Sequence, residues 1–203
     1  MSAMTSFRPV LRLLPVGALL PLAACISFGA DPPERLLTLN AASQPEAGQA
    51  QSSRTGRAIV VQVPSSPAAI ANTRVPVRTG DTALAYVKDA QWSEPPTRLF
   101  ARLVSDTVTA RAGMVVLTPA QSFDDPSANL GGELRYFGLD AATREAVVTF
   151  DASLTRAGQT TVEKRRFEAR VPVAAIDAAS AGPALNQAAN TVATQVADWV
   201  RGG

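Results

Sequence analysis

The amino-acid sequence predicts an α+β domain: a mostly antiparallel sheet of about seven strands with two amphipathic helices packed on one face. Three observations carry this. Between Glu145 and Thr155 polar and apolar residues alternate, placing Ala146, Val148, Phe150, Ala152 and Leu154 on one side, as in a strand with one covered face. Two stretches, one after Ser93 and one near the C-terminus, repeat apolar residues every three or four positions, as helices with one buried face do. Short β-branched runs such as Ile59-Val60-Val61 fill much of the rest, bounded by turn residues.

The first segment in chain order stands outside that fold. Arg8 and Arg12 precede an apolar run from Leu13 to Ala24, and small residues lead into Cys25, which are the three zones of a secretory signal. Pro15 and Pro21 interrupt the run, and it falls short of the roughly 20 apolar residues a membrane-spanning helix needs. Leu22-Ala23-Ala24-Cys25 resembles the lipobox of bacterial lipoproteins, in which a peptidase cuts before a cysteine whose thiol has received diacylglycerol. That resemblance implies a signal peptide over residues 1–24, lipid attachment at Cys25, a lipidated tether over 25–34 and a single domain over 35–203. The competing reading, an ordinary signal peptide, puts bulky Leu22 where a small residue is usual. Cys25 is the single cysteine, so acylation also removes an unpaired thiol from an oxidising compartment. Three acyl chains amount to on the order of 30 kcal/mol of membrane affinity, whereas one chain binds only marginally. In lipoproteins that resemble enterobacterial ones, an aspartate after the cysteine favours the inner membrane; here Ile26 stands there and points to the outer membrane.

Charge narrows the partners. The leader contains Arg8 and Arg12 but no acidic residue, so removing it lowers the 19 basic residues to 17, against 17 acidic ones. A formally neutral mature chain gives no sign of the clustered positive field that nucleic acid requires.

Gly29, Pro32 and Pro33 mark a spacer that lifts the domain off the membrane. Arg35–Leu39 reads as a first strand, and Asn40–Arg57, rich in Ala, Ser, Gln and Gly without periodicity, as a mobile loop. Ala58–Val63 reads as a buried strand closed by Pro64. Arg74–Arg78 and Thr82–Val87 are extended segments joined through Thr79-Gly80-Asp81, with Pro76 best placed on an edge.

Ser93 followed by Glu94-Pro95-Pro96 signals a helix start, and the helix runs to about Ala112. Leu99, Phe100, Leu103, Val104, Thr107 and Val108 form its apolar face, and Arg98, Arg102 and Asp106 lie away from it. Met114–Leu117 is a short buried strand, and Thr118–Asn129 a loop. Three longer strands, Glu133–Leu139, Glu145–Thr155 and Thr160–Val171, form an antiparallel meander with Gly158 in its second turn. The last helix starts near Ser180, with Pro183 close to its first turn, and continues to Val200 before Gly202-Gly203. Leu185, Ala188, Ala189, Val192, Val196, Trp199 and Val200 form its apolar stripe.

The chain has no histidine, which removes Ser-His-Asp and Cys-His catalysis and every His-containing zinc site. It has no phosphate-binding G-x-x-x-x-G-K-[ST] loop. Asp124-Asp125 is a metal or acid/base candidate, but its Pro- and Ser-containing loop favours a solvated turn. Gly131-Gly132 lacks the rest of a nucleotide fingerprint and reads as a bend or bulge. Glu163-Lys164-Arg165-Arg166 offers charge for anionic headgroups, yet alternation within a strand favours a solvated sheet edge. Trp92 and Trp199 suit the core better than an interface. No catalytic, cofactor or metal site is expected, and the chain reads as a non-enzyme.

The order of these segments resembles the ABC-type transport auxiliary lipoproteins, the family of the paraquat-inducible protein C-like lipoproteins. The pieces are the cysteine at position 25, Leu36-Leu37-Thr38-Leu39, Arg78-Thr79-Gly80-Asp81 running into Leu84-Ala85-Tyr86, and Gln91-Trp92-Ser93-Glu94-Pro95. Phe167 and the helix from Ala184-Leu185-Asn186 to Trp199-Val200 complete the set. The long Ala/Ser/Gln loop after the first strand departs from the family picture. The resemblance implies a non-catalytic part of a lipid-trafficking system, docked with a mammalian-cell-entry-type periplasmic protein and held at a membrane by its acyl chains. Only Cys25 carries over with a defined role. The alternative is a lipoprotein of outer-membrane assembly or envelope integrity, uncoupled from any ATP-driven transporter. A homo-oligomer stays open, since exposed strands and helices could pair in a ring but no heptad supports it.

Overall fold

In the computed structural model, residues 34–53, 57–121 and 126–202 are described, and they belong to one compact unit. Cys25, the signal zones and the Asp124-Asp125 pair lie outside them. The elements are β1 (Ala58–Val61), β2 (Arg74–Arg78), β3 (Leu84–Gln91), α1 (Pro96–Ala112), β4 (Val115–Leu117), β5 (Ala128–Asp140), β6 (Glu145–Arg156), β7 (Val162–Pro172) and α2 (Ala178–Arg201).

The alternating segments behave as their pattern dictates. Strand β5 pairs antiparallel with β6, and β6 with β7 in a register that sets Phe150 opposite Phe167. On the inner face Ala146, Val148, Phe150, Ala152 and Leu154 are at most 3% exposed. They share one core with Leu99, Phe100, Leu103, Val104 and Val108 of α1 and with Leu185, Ala188, Ala189, Val192, Val196 and Val200 of α2. Arg111 near the end of α1 reaches Asp198 near the end of α2 at 3.3 Å, so the two helices run the same way. Edge-to-face rings knit the core: Trp92 and Phe137 have centroids 5.4 Å apart, and Phe100 and Phe150 5.2 Å.

The sheet is mixed rather than mostly antiparallel. One edge of β5 belongs to β6; the other is shared by β1, paired parallel at Ile59 and Ala128, and by β2, paired parallel at Val77 and Leu139. Strand β4 adds to β1 in parallel and β3 to β2 antiparallel. The route from β1 to β4 passes through α1, the long crossover that parallel neighbours need. The short runs Ile59-Val60 and Val75-Pro76-Val77 are buried almost continuously, as parallel strands are, while clean alternation is confined to the C-terminal meander.

Other boundaries shift for local reasons. Arg35–Leu39 is no strand; Leu37 alone makes a bridge, to Trp92. Helix α1 begins at Pro96 with Pro95, which has no side chain able to cap, as its cap residue, and the Ser93 amide donates to the Leu37 carbonyl. Helix α2 begins earlier than Ser180: the Asp177 carboxylate accepts from the Ser180 amide at 2.8 Å, leaving Pro183 inside the helix. Gly132 is neither a simple bend nor the bulge, which falls between Leu134 and Tyr136. With φ at +140°, it lets the backbone pass so close to the Asp151 carbonyl that a Cβ would collide with it.

Candidate functional site

Since Cys25 lies outside the described residues, the site legible in the structure is the N-terminal segment of the domain, residues 37–42, where it lies against Trp92 and α2. The Leu37 amide donates to the Gln91 carbonyl at 2.7 Å, and its carbonyl accepts from Ser93 at 2.9 Å. The Leu37 side chain rests on Gly182 of α2, where an added Cβ would lie 2.9 Å from Cδ2. The chain then follows α2. The Asn40 amide donates to Asn186 Oδ1 at 2.9 Å, and the Ala42 amide to Asn190 Oδ1 at 2.7 Å. In return Asn190 Nδ2 donates to the Asn40 carbonyl at 2.9 Å.

Asn186 and Asn190 stand one helical turn apart and so share a face. A carboxamide offers both a donor and an acceptor, and can pair with backbone in the way a neighbouring strand would. The beginning of the expected mobile loop is therefore bound to the domain. Two asparagines four residues apart in an Ala-rich helix were the available signal, since asparagine is a poorer helix former than alanine.

The sheet face away from the helices is charged and internally paired. Asp151 receives Arg166 at 2.6 Å and Arg135 at 3.8 Å, and Arg135 also meets Glu133 at 3.1 Å. Hydrogen bonding from Arg166 holds the Asp151 carboxyl below the usual carboxylate range. Arg170 joins Glu168 at 2.8 Å and Glu145 at 3.2 Å. The Arg78 guanidinium lies 3.7 Å from the Tyr136 ring centre, and the Tyr136 hydroxyl donates to the Leu139 carbonyl at 2.6 Å. Burial pushes the Tyr136 phenol up to about 12. Carboxylates held ionised by arginine are poor proton donors, so this network suits cohesion of the face better than acid/base chemistry.

The other candidates are placed as follows. Lys164 and Arg166 are exposed on β7, which among the described residues pairs with β6 alone and is the sheet edge the sequence suggested. Trp92 is core at 1% exposure, and Trp199 is half-buried against Phe167 with centroids 5.6 Å apart. Among the described residues no His/Cys/Asp/Glu group could hold a metal ion, and no helix is long and apolar enough to cross a membrane.

Two solved structures share the fold. The crystal structure of protein XCC0632 from Xanthomonas campestris, assigned to DUF330, is 20% identical with a TM-score of 0.67, over 82% of this chain and 95% of that one. The crystal structure of an uncharacterized protein is 17% identical with a TM-score of 0.62, over 71% and 92%. No curated protein matches the chain. Residues 37–197 match the family described as the ABC-type transport auxiliary lipoprotein component, a span that begins at the residue seated on Gly182 and includes both asparagines that hold the backbone of Asn40 and Ala42. The chain belongs to the ABC-type transport auxiliary lipoprotein family.

Proposed function

We propose that the chain is cut before Cys25, acylated there, and held at the periplasmic face of the outer membrane as a non-catalytic docking component of an ABC-type lipid transport system. Its partner in this reading is a mammalian-cell-entry-type periplasmic protein that carries lipid between the inner and outer membranes. The observation that carries the reading is the family match from Leu37 to residue 197, continuous across both the tether root and the folded domain. Two structural features support it. The tether enters at a bonded root, so a pull on the anchor is passed to α2 rather than to a loose loop. The carboxylates of the open sheet face are tied to arginines, which suits a partner-facing surface better than a reactive one.

The test is photo-crosslinking in native membranes from positions on the domain surface, with identification of the captured protein. The reading expects a mammalian-cell-entry-type protein as the main product, and the same samples show whether copies of the chain crosslink to one another. Its persistent absence, with the lipoprotein present at normal abundance, contradicts the reading and favours an envelope-assembly role.

A further inference from the structure

One row of α2 is built against helix stability. Gly182, Asn186 and Asn190 follow one another at intervals of four, on one face of a helix otherwise rich in alanine. Glycine and asparagine are poorer helix formers than alanine, so helix stability is not what selects this row. What its members share is the segment Leu37–Ala42. Leu37 Cδ2 sits 2.9 Å from where a Cβ on Gly182 would stand. The Asn40 and Ala42 amides donate to Asn186 and Asn190, and Asn190 returns a bond to the Asn40 carbonyl.

The spacing makes the row a reader of extended chain. Four helical residues advance about 6 Å and two extended residues about 6.6 Å, so successive members of the row meet every second residue of a chain laid along the helix. Asn186 and Asn190 accordingly bond to residues two apart. These bonds go to backbone, which every residue but proline offers alike. Side-chain choice is left to Leu37, Leu39 and Ala41, which pack part-buried against the core while Thr38, Asn40 and Ala42 are exposed. At the near end the Gln91 carbonyl and the Ser93 amide complete the seat. The occupant is held loosely. No residue from 34 to 42 is buried, and the bonds to Asn186 and Asn190 are exposed. Leu185, Ala188 and Ala189 of α2, by contrast, are fully buried. A segment with exposed bonds and few buried contacts opens before the domain does.

We infer that this face of α2 is a recognition site for an extended polypeptide with leucine-sized side chains at alternate positions, filled in the free chain by its own Leu37–Ala42, which an incoming segment displaces. The seated segment shows the chemistry that the site accepts. Being part of the same chain, it competes at high effective concentration. A partner therefore engages the open fraction alone, and its apparent affinity is lowered by that fraction. The site needs neither the anchor nor the transport partner proposed above.

The experiment titrates a fluorescently labelled peptide with the sequence of residues 35–44 against the full chain as purified from cells, read by anisotropy. Leu37→Asp with Leu39→Asp loosens the segment in the chain and leaves α2 unaltered; adding Asn186→Ala and Asn190→Ala removes the backbone reader. Circular dichroism and urea midpoints check the fold of each. Weak binding to the unaltered chain, binding at least about tenfold tighter to the leucine variant, and loss of that gain in the fourfold variant are expected. A peptide carrying aspartate in place of Leu37 and Leu39 should not bind. No binding to a folded leucine variant, binding indifferent to the two asparagines, or uptake only as swapped dimers of the chain overturns the inference. So does a leucine variant that does not fold, since the segment is then core rather than occupant. Crosslinking in native membranes decides the proposed function separately.

Discussion

Asn190 accepts a hydrogen bond from the Ala42 amide at 2.7 Å and donates one to the Asn40 carbonyl at 2.9 Å, and so binds the N-terminal segment of the domain to a helix nearly 150 positions downstream. A second donation from Asn190 Nδ2, to the Asn186 carbonyl at 2.8 Å, fixes the orientation of the amide. Asn190→Ala leaves both backbone groups to water and should lower stability by only about 1 kcal/mol, because the bonds are exposed. Its local effect is larger. Hydrogen exchange at the Ala42 amide should accelerate strongly while the core of α2 stays protected; unchanged exchange at Ala42 would mean that this segment is held by something else.

The aromatic chain through the core sets the scale for global stability. Phe137 touches both Trp92 and Phe100, and Phe137→Ala should cost about 3–5 kcal/mol by denaturant unfolding. A loss below about 1 kcal/mol would show that this interior is not packed as described.

Gly132 has no tolerated replacement. At φ +140°, and against the Asp151 backbone, alanine meets both conformational strain and a backbone clash. Gly132→Ala should destabilise the chain by about 3 kcal/mol or more, and also loosen the bonds that Gly132 and Leu134 make with Ser65. Urea midpoints of the two proteins decide the point.

High pH should weaken the fold through Tyr136. Its phenol is pushed up to about 12 by burial, so the folded chain keeps a proton that the unfolded chain releases near pH 10. The contribution is complete below about pH 10 and disappears as pH rises through about 12, on the order of 2–3 kcal/mol in all. Stability followed from pH 9 to 12 should fall in the unaltered protein and fall less steeply in Tyr136→Phe. Parallel curves would refute the assignment.

How much of this could be read from residues depended on whether the information was local. The alternation in β6 named its inner face correctly, and the helix periodicities named the buried faces of α1 and α2. Parallel pairing of β1, β2 and β4 was not legible, since an apolar run of a few residues fits a parallel or an antiparallel strand equally well. The D-x-x-S spacing of Asp177 and Ser180 did mark the true start of α2, but Pro183 drew the boundary later. Leu36-Leu37-Thr38-Leu39 looked like a strand because apolar spacing alone does not show that its backbone meets the sheet only at Leu37, through Gln91 and Ser93, before Asn40 and Ala42 bond to two asparagine side chains on α2.

The account rests most heavily on a domain hung from a membrane through Cys25. Intact mass spectrometry of the protein extracted from membranes, alongside Cys25→Ser, tests this most directly. The account predicts a chain that begins at Cys25 and carries acyl groups there, and a variant that is neither cleaved at that bond nor lipidated. An unacylated chain recovered from the soluble fraction would contradict it.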